Sequence, residues 1–542
     1  MPLNKFIYIN SVGTDAFYEP DEQAIHKRLL RLYAARSRNK DRLTGKSKPW
    51  DGDWRVSAMN RVINAEKSKL TELLDKRVTD GCVRRLRQDA LAERNVINLF
   101  ESSLTRALEV KPLTLTYDIM VVNVFFFQVF ENIVKQGFMF NGERYIFLTA
   151  SAGQIRTKRS LFIREAAFKR VEQRLMGGLT IDSINEQGGI NTNKFLAYLA
   201  LMNSATDVWE GFDIDRAIVV DDWETAVPGL VDHIDGVTYE IKREQTETVI
   251  PHMDGCGIML DGTTRMVRGP WIKGLLVQFP FDKFLRQECT QDQWWVTDIY
   301  GVKHNVVLED IRYIFTKSQF KLAKYYPNWE CYKARFKAYG CEMSYCNIEE
   351  PFIPKSRINY QMLQTLSDMT DAEIERISAK TVDEIQSIGQ DYQTTMRLLG
   401  ATEYNKNRSP MQEALMLYPE LFRDTYNKEI LKQTKKSLVK QAMGGRLRVN
   451  GKYLFLSPDL YAFCEWLFQG KQNPQGLLED GEVYCSEYRD GDELACLRSP
   501  HLYREWAIRN NRRTEELDRW FGQTKCIYTS CHDLISRYLM FD

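Results

Sequence analysis

Along this chain the apolar positions change period several times, and each change marks a different kind of element. In PDEQAIHKRLLRLY, Ile25, Leu29 and Leu32 recur at helical spacing behind an acidic start, so residues 1–110 read mainly as helices. Extended segments take over from about residue 111. FMFNGERYIFL sets Asn141-Gly142 between two apolar runs, which predicts a tight hairpin because both central residues of such a turn need positive φ. A second extended region, from about 206 to 330, is rich in β-branched and aromatic residues with Gly and Pro punctuation; its short, irregular strands predict a small barrel. Thr370 with Glu373, and Thr381 with Glu384, then form two capping-box patterns ahead of Ile374, Ile377, Ile385 and Ile388, with Gly389 as a stop. From about 441 strands return, and RLRVNGKYLFLS repeats the hairpin signature at Asn450-Gly451.

These shifts divide the chain into 1–110 (helical), 111–205 (a strand hairpin and a basic helical region), 206–335 (the first barrel), 336–440 (a helical connector) and 441–542 (a second strand-rich unit). A length of 542 residues suits several domains, and 44% apolar with 27% charged residues is an ordinary globular balance. The net charge of +1 advertises no polyanion, but His26 to Lys48 and Gly153 to Arg174 are locally basic runs able to meet phosphates or simply to face solvent. Eleven cysteines without a C-x-x-C pair read as reduced thiols rather than a zinc site. MPLNKFIYINSVG lacks a secretory layout, and IMVVNVFFFQVF, broken by Asn123 and Gln128, is too short to span a bilayer. A cytoplasmic protein without a membrane partner is therefore expected.

Three stretches carry candidate chemistry. In TTRMVRGPWIKGLLVQF, Arg265, Arg268 and Lys273 are placed to converge on one loop, where fixed cations would stabilise phosphoryl charge. In ELACLRSPHLYREW, Pro500 stiffens the loop that presents the Arg498 guanidinium to a ribose or phosphate. In SRYLMFD an apolar strand delivers Asp542 to a strand end, a common seat for carboxylates that hold Mg2+ with phosphate substrates.

The order of WEGFDIDRAIVV, GPWIKGLLV, LRSPHLY and SRYLMFD resembles that of the two-barrel RNA polymerases: the RNA-dependent polymerases of RNA silencing, single-chain phage polymerases and, more distantly, the large subunits of cellular RNA polymerase. Ser151, Gln154 and Arg156 resemble that family's Ser-x-x-Gln-x-Arg pattern, HMDGCGIM around Asp254 its Asp-Gly-x-Gly turn, and the spacing from Arg268 to Lys273 its Arg-x-Gly-Gly-x-Lys-Gly, with Pro270 in place of one glycine. The resemblance implies an α+β multidomain fold: a helical N-terminal region, a first double-psi β-barrel, a helical connector and a truncated second double-psi β-barrel. It implies template-directed RNA synthesis from nucleoside triphosphates on an RNA or DNA template, with two Mg2+ ions. Lys273, with Arg265 or Arg268, would contact nucleotide phosphates, Arg498 the incoming ribose, and a basic helix carrying Arg156, Lys158 and Arg159 the template or product. Asp542 matches the first carboxylate of the family's Asp-x-Asp-Gly-Asp, so the expected partner is a C-terminal polymerase fragment supplying the rest. The alternative is an inactive nucleic-acid-binding or assembly protein on the same scaffold.

Overall fold

The structure is a computed structural model that describes residues 5–43, 54–91, 95–124, 126–150, 158–363, 366, 368–405, 408–497 and 506–533. It is a mixed α+β protein with several sheets, in two compact units, Asn4–Thr206 and Asp207–Asp542.

In the first unit the described strands form one sheet in the order Arg84–Arg85, Phe138–Phe140, Glu143–Thr149, Arg159–Arg164, Leu115–Asn123, Phe6–Gly13, Val96–Phe100. Phe6–Gly13 runs antiparallel to Val96–Phe100 and parallel to Leu115–Asn123. The expected boundary at 110 is thereby corrected. Strands on either side of it belong to one sheet, so 1–110 is not a separate helical region, although it holds the long helices Pro20–Leu43 and Trp54–Thr79. Their apolar stripe, with Leu29, Ile63, Leu70 and Leu74, shares a core with Met120, Val122, Phe138 and Phe162 of the sheet. The Asn141-Gly142 hairpin forms as expected, with φ of 49° and 82°.

The second unit contains a sheet ordered Asp207–Val208, Ser344–Ile348, Arg265–Gly269, Ile272–Gln278, Cys256–Met259, Tyr313–Thr316, Ala217–Val220. Two of its pairs are parallel, Cys256–Met259 with Ile272–Gln278 and Tyr313–Thr316 with Ala217–Val220. A separate hairpin, Glu224–Ile234 with Ile241–Pro251, extends over eleven paired positions, so the strands here are not uniformly short. A further sheet runs Leu456–Pro458, Ile527–Thr529, Glu482–Tyr484, Trp506–Asn511, Glu493–Leu497. The two larger sheets share one core: Ile258, Val277, Phe279 and Ile314 of the first pack in the same cluster as Phe463, Tyr484, Phe521 and Tyr528 of the second region. Burial of that much aromatic surface is the main force holding them together.

Between them lie the helices Asp371–Ser387, Tyr392–Leu399, Pro410–Leu417 and Thr425–Met443. The Thr370–Glu373 capping box is present and Gly389, at φ 82°, follows the helix end. The second capping box is not formed. Thr381 is mid-helix and fully buried, its hydroxyl accepting from the Arg448 N–H at 2.8 Å, and Glu384 binds arginines instead. Nor does Asn450-Gly451 close a hairpin, because its flanks bond to another segment: Ser356 N–H donates to Gly451 O and Ile358 N–H to Leu447 O, both at 2.8 Å. None of the eleven cysteines is in a disulfide. Among the described residues no helix is long and apolar enough to cross a membrane.

Candidate functional site

The hairpin Arg265–Gly269 to Ile272–Gln278 is closed by two residues, Pro270 and Trp271. Proline supplies the negative φ of the first turn position, and Trp271 takes φ 62°, where a glycine is usual. The surroundings hold this costly conformation. Trp271 is 4% exposed, its carbonyl accepts from Lys321 N–H at 2.8 Å, and the Pro270 carbonyl accepts from the Tyr332 hydroxyl at 2.8 Å. Thus the replacement of glycine in the turn leaves a tight hairpin intact.

Register then decides which cations share a face. Arg268 pairs directly with Lys273, which places their side chains together on one face of the hairpin. Arg265 pairs with Leu276 and, three positions from Arg268, points to the other face. The expected convergence of three cations is therefore a convergence of two. Arg265 is 8% exposed, with its guanidinium 4.3 Å from the Trp209 ring centre and 5.2 Å from that of Tyr345, and its Nε donates to Thr263 O at 2.9 Å. Those contacts are packing and cation–π attraction.

The Arg268 and Lys273 side chains therefore present two cationic groups on one face of the hairpin. Burial depresses the Arg268 guanidinium below its usual pKa. Its Nε is buried without a hydrogen-bond partner, its Nη1 donates to Val267 O at 2.7 Å, and among the described residues no carboxylate pairs with it. Such a group retains capacity for an anion.

The platform under the pair is rigid for reasons written in its glycines. A Cβ on Gly274 would lie 2.3 Å from Gly255 O and 2.4 Å from Gln319 Nε2; one on Gly257 would lie 2.5 Å from Gln319 Oε1 and from Ile314 O. Gln319 is fully buried and donates to Leu275 O at 3.0 Å. The neighbouring turn carries half-buried Asp254 and then Gly255, at φ 64°. Ser318 pins it, its hydroxyl accepting from Gly255 N–H at 2.9 Å and donating to Asp222 Oδ1 at 2.7 Å. Asp222, Ser318 and Gln319 escaped the sequence reading because nothing in their local pattern shows that they meet a turn some 60 or more residues away in one direction or 30 in the other.

Arg156, Arg498 and Asp542 lie outside the described residues. The antiparallel strands Glu493–Leu497 and Trp506–Asn511 flank the positions 498–505. Lys158 and Arg159 are exposed, and Arg159 opens the strand Arg159–Arg164 rather than a helix. Ser160 to Ile163 are buried between two neighbouring strands, a placement that overrides any helical reading there. Among the described residues no three His, Cys, Asp or Glu side chains are grouped to hold a metal ion.

Comparison with known proteins agrees with the motif order. The DNA-directed RNA polymerase YonO of Bacillus phage SPbeta is 45% identical over 546 residues, an alignment covering 100% of this chain and 63% of that relative. The chain thus spans somewhat less than two thirds of the relative's length. The model of the family described as RNA dependent RNA polymerase matches residues 59–503. Because that match takes in most of the sequence, including the Arg268–Lys273 hairpin, the chain belongs to the RNA dependent RNA polymerase family.

Proposed function

We propose that this chain serves in a template-directed RNA polymerase, with its two strand-rich regions acting as double-psi β-barrels. The observation that carries the reading is the placement of Arg268 and Lys273 on one face of a glycine-locked hairpin, Arg268 having no carboxylate partner among the described residues. The phosphates of a nucleoside triphosphate or of the transcript end lie against this face, where Arg268, without a carboxylate partner among the described residues, gains an anion. Lys273 is the residue assigned to the reacting phosphates, and Arg268 orients them. Arg498 reads the ribose, and Arg156, Lys158 and Arg159 follow the template or product backbone, RNA or DNA. Asp542 is a carboxylate that would help to hold Mg2+, which would supply charge neutralisation for nucleotidyl transfer. The family match and the motif order support these assignments.

The test is template-directed ribonucleotide incorporation by the full chain, with and without any further polymerase segment encoded at its locus. Lys273→Ala is expected to lower the rate by roughly 10²–10³-fold, the usual effect of losing one charge-stabilising group, with the melting curve unchanged. Near-normal incorporation by a well-folded Lys273→Ala protein removes that residue from the site. Template binding with no incorporation under any complementation favours the inactive binding protein instead.

A further inference from the structure

A second group of cations lies in the helical region of the same unit. Arg357 and Arg448 face each other across an isolated antiparallel bridge, again two cations directly opposed. Both reach Glu384, as does Arg397: Arg357 Nη2 lies 3.3 Å from Oε2 and Arg397 Nη2 lies 2.7 Å from Oε1, while Arg448 Nη1 also pairs with Oε1. Arg446 is near enough that its charge, after burial, helps hold Arg357 below its usual pKa. Three guanidinium groups therefore pair with one carboxylate, with Arg446 close to Arg357 and Asp391 close to Arg397. Arg357 Nη1 is moreover buried and has no hydrogen-bond partner among the described residues.

The sequence leading into this cluster is itself basic. Between Thr425 and Val449 five lysines and two arginines stand against Glu429 alone. Lys428, Lys432, Lys435, Lys436 and Lys440 are exposed and form no ion pair among the described residues. At about 100° per residue they fall within an arc of roughly 140° on the helix Thr425–Met443. The helix ends at Gly444, and Arg446 and Arg448 follow at once.

We propose that this lysine face and the Glu384-centred arginine cluster form one phosphate track that binds a nucleic-acid backbone without reading sequence. The inference rests on the polymerase reading only for the presence of nucleic acid. A repeating polyanion fits better than a single phosphate because the cations are strung over several helical turns, with the desolvated, under-neutralised arginines at one end.

The experiment is fluorescence-anisotropy titration of the full chain with a labelled 20-nucleotide strand in EDTA, without nucleotides, over a salt series. It reads binding alone, so a failure of nucleotide addition and a failure of this track are separable. The combined substitutions Lys428→Gln, Lys432→Gln, Lys435→Gln and Lys436→Gln lie on an exposed face and should leave the melting temperature unchanged. They are expected to weaken binding at least about tenfold near 0.1 M salt and to lower the slope of log K against log salt by about 2–3. Glu384→Gln should move the other way, tightening binding even though it loosens the arginine cluster. Unchanged affinity and slope in the lysine variant overturn the track. So does displacement of the strand by tripolyphosphate at equal phosphate concentration, which would assign the cluster to a compact polyphosphate instead.

Discussion

Arg84 in the first unit and Arg268 in the second face the same difficulty, a guanidinium largely removed from water, and meet it differently. Arg84 is 1% exposed and matched by Glu22, itself fully buried: Nη1 to Oε2 is 2.8 Å and Nη2 to Oε1 is 3.2 Å. Nη1 also donates to Phe17 O, and Glu22 accepts further from Arg77 at 3.0 Å and from Glu19 N–H at 2.9 Å. Arg268 has a second cation where Arg84 has a carboxylate. A matched buried charge is committed to the fold, whereas an unmatched one stays available to a ligand. The contrast separates structural arginines from candidate functional ones without recourse to motif.

It can be broken at four points. The largest effect should come from Glu22→Ala, which strands Arg84 in the core. Urea unfolding of the first unit should show a loss of about 3–5 kcal/mol, and a loss below about 1 kcal/mol would mean that Arg84 finds water or another partner. Gly274→Ala should cost about 1–3 kcal/mol, because the new methyl meets the Gly255 carbonyl and the Gln319 amide, both locked in place. Thr370→Ala, which removes a side-chain cap from the Glu373 N–H, should cost about 1 kcal/mol in the same assay. Arg268→Met should be nearly silent in unfolding, within about 1 kcal/mol, since it removes a desolvated charge that has no carboxylate among the described residues. It should still weaken nucleoside triphosphate binding, measured by calorimetry. Substantial unfolding by Arg268→Met would place Arg268 with Arg84 as a structural residue.

The features that proved legible in the sequence act within a few residues. Asn141-Gly142 forms its hairpin because both residues tolerate positive φ, and Thr370 caps its helix through an amide three positions on. The same local signals misled where a distant partner outbid them. Thr381 and Glu384 repeat the capping pattern yet lie mid-helix, engaged by Arg448 and by Arg357 from across the chain. Asn450-Gly451 repeats the hairpin pattern yet lies alongside residues 356–358.

By itself the sequence determined the polymerase family, through the order of its motifs, and the local turns and caps, through short-range sterics and hydrogen bonds. Only the tertiary structure decided that the first strand joins a sheet built largely from residues beyond 110, and that the cations at 268 and 273 share a face while 265 turns away. Strand partners and register are set by burying side chains across long sequence separations, and a one-residue change of register exchanges the two faces. That is why a spacing of residues showed which cations were near, and the sheet alone showed which of them share a face.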